Sequence, residues 1–274
     1  MSAPSDAPDP IDRSESVDPI DKAKSVAARR AVEYVEDGMR VGLGTGSTAV
    51  WMVRHLGQRV RSEGLRVTGV PTSERTAALA RECGIPLATL DELRWLDLTI
   101  DGADEFDGAL ALIKGGGGAL LQEKIVATAS DMMVVIADRS KSVETLGAFP
   151  LPVEVIAFGW RTTQALVEEC LVGMDVGARE VVLRQGGDGP YRTDEGNLIL
   201  DLHLRRIADA RQLALVLNQI PGVVENGLFL DICDVVVIGA PDGSVELRAA
   251  GSQAVTHERI DAGGRDNIFA REPK

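Results

Sequence analysis

The sequence predicts an α/β fold: a mostly parallel Rossmann-like sheet with an inserted ferredoxin-like α+β domain. Three observations carry this prediction. Short apolar runs alternate with amphipathic helical stretches from about residue 21 to residue 148, the rhythm of a sheet covered on both faces. The glycine-rich and acidic loops fall at the carboxyl ends of those runs, where such sheets bind ligands. From about Phe149 the order changes to β-α-β-β-α-β, the split βαβ arrangement. At 274 residues the chain is long enough for one large domain or two smaller ones, each with a proper core. The expected division is a disordered tail at 1–18, an α/β catalytic domain at 19–148 plus 231–250, the ferredoxin-like unit at 149–230, and a polar C-terminal tail at 251–274.

The elements follow in chain order. Residues 1–18, rich in Pro, Ser and Asp, cannot bury enough apolar surface to order themselves. "DKAKSVAARRAVEYV" places Val26, Ala27, Ala31, Tyr34 and Val35 at helical spacing, with Gly38 as the C-cap. "RVGLG" reads as a buried strand and "STAVWMVRHLGQRV" as the helix after it. "LRVTGV" is the second strand. "SERTAALARECG" is a helix starting at Ser73 and stopping at Gly84. "DLTIDGAD", "ALIKGGGG", "LLQEKIVATAS" and "DMMVVIADRSK" continue the alternation. Beyond Phe149, "LPVEVIAF", "WRTTQALVEECLVG", "EVVLRQ", "LILDLHL", "ARQLALVLNQIPG" and "VVENGLFL" supply the second unit, with the turn-rich "GGDGPYRTDEGN" between its middle strands. "DVVVIGAPDGSVEL" returns to the first sheet as one or two strands.

Composition narrows the function classes. The chain is 45% hydrophobic and 26% charged, as ordinary globular proteins are, and only 4% aromatic, so the core is aliphatic and alanine-rich. A net charge of −13 repels nucleic-acid phosphates and anionic lipid, which argues against both as partners. An anionic substrate must then be captured by local positive features. Three well-separated cysteines without a CxxC, and three histidines without ligand spacing, argue against a disulfide framework and a zinc site. The start of the chain lacks a basic n-region and an apolar stretch, and the longest apolar runs are strand-length. The expectation is a cytoplasmic protein.

Four loops can carry chemistry. "GLGTGSTA" fits G-x-G-x-x-A, but the dinucleotide fingerprint also needs an acidic residue about 20 positions on, and "GVPTSE" puts Pro71, Thr72 and Ser73 there. No lysine follows the glycines, which excludes a Walker-A loop. What remains is a set of amides at a helix N-terminus with hydroxyls from Thr45, Ser47 and Thr48, suited to a phosphate monoester. "DGADEFD" presents Asp101 and Asp104 around a tight Gly-Ala turn. Alone, that is as readily a solvated surface turn as a site. In "IKGGGGALLQEK" four glycines permit close backbone approach to a ligand and a nest of amides opening a helix, with Lys114 before them and Glu123 after. Spacing alone does not bring those two charges together. "ADRSK" adds Asp138 and Lys141 at the same sheet edge. Carboxylates, two lysines and phosphate-holding hydroxyls, without a histidine or a metal set, suit acid–base chemistry on a sugar phosphate.

The stretches "GLGTGSTA", "DGADE", "IKGGGGALLQEKI", "IADRSK", "FPLPVEV", "GNLILD" and "IPGVVENGLF" closely resemble ribose-5-phosphate isomerase of the A type, in order and spacing, from about residue 21 to 248. The resemblance implies the fold derived above and interconversion of D-ribose 5-phosphate and D-ribulose 5-phosphate through an enediolate. It implies no metal or organic cofactor, and assembly as a homodimer or homotetramer. It makes Glu123 the catalytic base, Asp101 and Asp104 active-site aspartates, with Asp101 moving hydroxyl protons and assisting ring opening, and Lys114 the oxyanion-stabilising lysine. Thr45, Gly46, Ser47, Thr48, Gly102, Ala103, Gly115, Gly116, Gly117 and Lys141 match substrate-binding positions, and Lys24 aligns as a phosphate contact by its place in the first helix. Gly118 in "GGGGAL" and the "PTSERT" stretch depart from the family's usual residues.

Other classes remain in view. A non-catalytic sugar-phosphate-binding regulator would need a DNA-binding module, for which residues 1–18 are too short and too acidic. A related sugar-phosphate deaminase would be expected to place a histidine in one of these loops, and His55, His203 and His257 are elsewhere. A CoA-transferase would use Glu123 as a nucleophile.

Overall fold

The computed structural model describes residues 18–260, so most of both expected tails lies outside the described residues. Helix α1 (Pro19–Ala31) starts where Asp18 accepts a hydrogen bond from the Ile20 amide at 2.9 Å and Pro19 pre-sets the backbone. It ends earlier than its apolar spacing predicts. Val32–Tyr34 tighten into a 3-10 turn, and Arg59 donates to the carbonyls of Val32 and Val35, so those oxygens need no longer helix. Gly38, at φ +87°, serves the turn into the first strand and is not a helix cap.

The alternation then runs β1 (Arg40–Leu43), α2 (Ala49–Glu63), β2 (Thr68–Pro71), α3 (Glu74–Glu82), the short α4 (Leu90–Leu93) and β3 (Leu98–Gly102). Two short strands, β4 (Glu105–Phe106) and β5 (Leu112–Ile113), precede α5 (Leu120–Thr128) and β6 (Met133–Asp138). The second unit comprises β7 (Leu151–Val155), α6 (Trp160–Val172), β8 (Glu180–Leu183), the hairpin β9 (Gln185–Gly186) and β10 (Gly189–Pro190), β11 (Leu198–His203), α7 (Ala210–Leu217) and β12 (Val223–Asn226). The chain finishes with β13 (Leu228–Phe229), β14 (Val235–Gly239), β15 (Ser244–Ala249) and β16 (Val255–Arg259).

The main sheet has the order β16-β15-β14-β6-β3-β1-β2, parallel from β14 to β2, with β15 and β16 added antiparallel. Its central strands β3 and β6 are buried along their whole length, as the near-continuous apolar runs require. The alanine face of α1 lies against β6 and β14, so close that a side chain at Gly239 would overlap the Ala23 carbonyl. The second sheet, β12-β7-β11-β8, is antiparallel throughout and carries α6 and α7, which completes the ferredoxin-like pattern.

Two segments depart from the sequence reading. Val255–Arg259, expected as part of a polar tail, is the edge strand β16. Its side chains are mostly exposed on both faces, so no alternating apolar signal marks it, and its charges suit an edge. "VVENGLFL", expected as one strand of the second unit, is two. Gly227 breaks it, and β13 pairs instead with β5 in a three-stranded β13-β5-β4 sheet between the larger ones.

Candidate active site

The loops singled out by the sequence converge at the carboxyl edge of the main sheet. Residues 45–48 leave β1, Gly102, Ala103 and Asp104 leave β3, Lys114 and the glycines leave β5, and Lys141 sits on a 3-10 turn after β6. Together with Glu123 from the first turn of α5 they line one cleft of ≈ 70 Å³. Two expected members stand apart. Asp101 does not line the cleft but is fully buried behind it. Lys24 reaches the cleft's rim through Ser47, whose hydroxyl accepts from its ammonium at 3.1 Å.

At the floor lies a buried charge cluster. The Lys114 ammonium is 3.0 Å from Asp101 Oδ2 and 3.1 Å from Glu123 Oε1, and donates to the Gly102 carbonyl at 2.5 Å. These three partners match an ammonium's three donors. Lys114 is only 2% exposed and Glu123 only 4%. Burial works against the lysine's charge, but the carboxylates of Asp101 and Glu123 outweigh it and raise its pKa. For Glu123 the balance runs the other way. Burial, and then the nearby Asp101 charge, push its carboxyl up to about 8 against the pull of Lys114. Its Oε2 has no hydrogen-bond partner among the described residues. Asp104 is raised too, chiefly by burial, while accepting from the Gly116 amide at 2.7 Å.

Asp101 is the hub beneath this cluster. Its Oδ1 accepts from the amides of Thr45 at 3.1 Å and Gly102 at 2.7 Å. Gly44 has to be a glycine, because a Cβ there would sit 2.1 Å from that oxygen. Asp101 Oδ2, 3.0 Å from the Lys114 ammonium, has no hydrogen-bond partner among the described residues, and Asp101 lies behind the residues that line the cleft.

Thr45 is likewise committed inward. Its hydroxyl lies 2.8 Å from those of Thr72 and Ser73 and 3.2 Å from that of Thr76. The "PTSERT" stretch therefore supports the loop from behind. Gly46, at φ +107°, turns the chain so that Ser47 and Thr48 meet the N-terminus of α2; the Val50 and Trp51 amides donate to the carbonyls of Gly46 at 3.2 Å and Thr48 at 3.1 Å, while those of Ser47, Thr48 and Ala49 engage no acceptor among the described residues.

Sequence reasoning missed the residues that hold the glycine loop. Arg184 donates to the carbonyls of Gly115 at 2.9 Å and Gly116 at 3.2 Å, while its other nitrogens grip Asp201. Tyr191 donates to the Gly117 carbonyl at 3.4 Å and packs so tightly on Gly118 that a Cβ there would lie 2.2 Å from its hydroxyl. Lys124 ties α5 to β12 through Glu225 at 2.9 Å. All three contacts join the α/β unit to the ferredoxin-like unit; Lys124 and Glu225 lie in stretches singled out above, whereas no motif marks Arg184 or Tyr191. The histidines stay out of the cleft; His55 is buried against Ser25, and burial pushes its pKa down to about 4.

The family model described as ribose 5-phosphate isomerase A (phosphoriboisomerase A) matches residues 68–243. A ribose-5-phosphate isomerase A from Ruegeria sp. (strain TM1040) is 72% identical over 245 residues, covering 89% of this chain and 94% of that one. Among solved structures, ribose 5-phosphate isomerase A from Methanocaldococcus jannaschii is 42% identical with a TM-score of 0.75, covering 87% of this chain and 98% of that one. A D-ribose-5-phosphate isomerase in complex with phospho-erythronic acid is 40% identical with a TM-score of 0.78, covering 84% of this chain and 99% of that one. With the match extending over more than half of its length and through every loop of the cleft but the first, the chain belongs to the ribose 5-phosphate isomerase A family.

Proposed function

We propose that Glu123 is the base, and Lys114 the oxyanion partner, in the interconversion of D-ribose 5-phosphate and D-ribulose 5-phosphate that this isomerase catalyses. The observation that carries the assignment is the unpartnered Glu123 Oε2 in the cleft, on a carboxylate whose other oxygen already holds the Lys114 ammonium. A carbon acid beside a carbonyl is weak, so a raised carboxylate pKa helps the base and a fixed cation must meet the charge that develops.

In the forward direction Glu123 takes the proton from carbon 2 of the open-chain aldose. The electron pair of that bond forms the carbon–carbon double bond of the enediolate, and the negative charge passes to the carbonyl oxygen. Neutralising Glu123 weakens its hold on Lys114, which frees a donor for that oxygen as the charge arrives there. Glu123 then returns the proton to carbon 1. Asp104, which faces the cleft, shuttles the hydroxyl proton from oxygen 2 to oxygen 1 and assists ring opening. The phosphate is held by the hydroxyls of Ser47 and Thr48 and the unengaged amides of Ser47, Thr48 and Ala49, with Lys24 and Lys141 as local cations against the acidic surface. Phospho-erythronic acid, the ligand of a solved relative, combines a phosphate with a carboxylate that stands in for the enediolate charge. That pairing fits a cleft with a phosphate loop at one end and a lysine at the other.

Family membership does not favour the regulator, deaminase or CoA-transferase readings. The reading includes a cytoplasmic homo-oligomer. Unpaired Cys83, Cys170 and Cys233 suit a reducing compartment, and the exposed apolar side chains of Phe158, Val172 and Leu215 suit burial between copies.

The deciding measurement is ribulose 5-phosphate formation by Glu123→Gln in the presence of a chelator. The expected result is a folded protein with nearly all turnover lost; normal kcat in that variant overturns the base assignment.

A further inference from the structure

We infer that Arg184, carried by the ferredoxin-like unit, is a positioning residue for catalysis: it orients the peptide groups of the glycine loop that serve Asp104 and the oxyanion. The inference deepens the isomerase reading and rests on it. Four consecutive glycines impose almost no backbone preference of their own, and the one hydrogen bond within the loop, from the Gly118 amide to the Gly115 carbonyl at 3.0 Å, leaves the Gly116 carbonyl to be held by Arg184. A peptide group is planar and trans, so its C=O and the following N–H point in opposite directions. Gripping the Gly115 carbonyl therefore sets the direction of the Gly116 N–H, which donates to Asp104 at 2.7 Å. Gripping the Gly116 carbonyl sets the Gly117 N–H, which engages no acceptor among the described residues and belongs to a residue lining the cleft.

Arg184 is itself rigid. Its Nε and Nη2 donate to the two oxygens of Asp201 at 2.9 and 2.5 Å, its backbone amide donates to Ile199 at 2.9 Å, and its guanidinium lies 5.9 Å from the Tyr191 ring centroid. With one edge of the fork fixed on Asp201, the plane of the guanidinium is set and Nη1 points to the glycine carbonyls. A lysine has no second edge and cannot serve Asp201 and the loop together. A grip on carbonyls behind the loop acts on the reacting oxygen only through the amides in front. It is therefore expected to weigh on the transition state more than on substrate binding.

The test uses Arg184→Ala and Arg184→Lys in the full chain, with Glu123→Gln alongside and thermal unfolding as the fold control. Turnover is measured per folded protein. The expected result is a kcat about 10²-fold lower in both Arg184 variants, the scale of a catalytic group slightly out of place. KM is expected to stay within about threefold, because ground-state binding is kept. Phospho-erythronic acid, whose carboxylate carries the charge of the enediolate, is expected to bind more weakly by a larger factor than the change in KM. Added guanidinium, but not ammonium, is expected to restore part of the kcat of Arg184→Ala, which an effect on stability alone does not produce. Arg184→Lys keeps the stem and the charge and serves as the variant that folds if Arg184→Ala does not. Unchanged kcat in a folded Arg184 variant, or equal weakening of substrate and phospho-erythronic acid, overturns the inference. Normal turnover in Glu123→Gln would instead overturn the assignment of Glu123 as the base, on which the proposed role of the loop amides stands, so the two failures are distinguishable.

Discussion

The two glycine-bearing loops of the cleft are fixed in opposite ways. Residues 44–48 are held from within the main sheet: Asp101 takes the Thr45 amide, three hydroxyls from the start of α3 surround the Thr45 side chain, and α2 begins at once. Residues 115–118 meet Asp104 on one side and close a turn from the Gly118 amide to the Gly115 carbonyl, but their remaining carbonyl contacts come from outside the main sheet, from Arg184 and Tyr191 of the second unit. In the proposed mechanism the first arrangement grips a phosphate that does not change during the reaction, and the second faces the atoms that do. Glycines in a sequence show where a backbone must be free to bend, but not what bends it.

The comparison can be broken most forcefully at the charge cluster shared by both loops. Lys114→Met leaves Asp101 and Glu123 buried without their cation, which typically costs about 3–5 kcal/mol for a broken buried pair. It is also expected to lower kcat by about 10²–10³, as loss of an oxyanion partner does. Denaturant titration and steady-state rates separate the two effects; wild-type kcat in this variant removes Lys114 from the chemistry.

Gly118→Ala strikes the externally held loop alone. The residue has φ +82° and its new Cβ would overlap the Tyr191 hydroxyl, so strain and displacement together should cost roughly 1–3 kcal/mol. Turnover should fall by about 10²-fold as the loop shifts. A kinetically normal Gly118→Ala would show that the outside grip is dispensable.

Gly46→Ala makes the matching change in the internally held loop. Here the φ of +107° is strained for alanine, but nothing lies within 4 Å of the added carbon. About 1–2 kcal/mol of backbone strain is expected. KM should rise severalfold with kcat nearly kept, because phosphate binding is shared by ground and transition states. A drop in kcat as large as that of Gly118→Ala would erase the distinction between the loops.

The gentlest probe is pH. Glu123 works as the ionised base, and its carboxyl sits at about 8, so kcat/KM should fall as pH drops through that region. The Asp101 charge is one cause of the elevation. Asp101→Asn is therefore expected to move the acid limb to lower pH, alongside any loss of rate. A limb that stays in place or moves upward contradicts the proposed influence of Asp101 on Glu123.

The legibility of the site followed the same division. The loops at the ends of β1, β3, β5 and β6 were readable because each joins a distinctive residue pattern to a strand terminus; convergence of those after β1, β3 and β6 follows from parallel strands sharing one edge, whereas β5 reaches the site from the separate antiparallel β13-β5-β4 sheet. Lys114 meeting Glu123 was not readable from spacing, because four glycines separate the strand from the helix and set no fixed angle. Arg184, Tyr191 and Asp201 were invisible for a different reason. They lie in or beside a turn-rich stretch of another unit, and only the tertiary fold brings them to the glycine loop. Val255–Arg259 escaped because an edge strand exposed on both faces carries little periodic signal.

One joint has a consequence for the birth of the enzyme. Gly227 links β12 directly to β13, its carbonyl accepts from the Lys114 amide at 2.9 Å, and its amide donates to the Pro152 carbonyl at 2.8 Å. The strand that delivers Lys114 thus finds one of its two neighbours, β4, just upstream and the other, β13, more than a hundred residues downstream. On a ribosome adding about 5–20 residues per second, that strand waits several seconds for the second, with a charged side chain destined for a dry interior still in water. A nascent chain halted before residue 229 holds each ingredient of the catalyst and no catalyst.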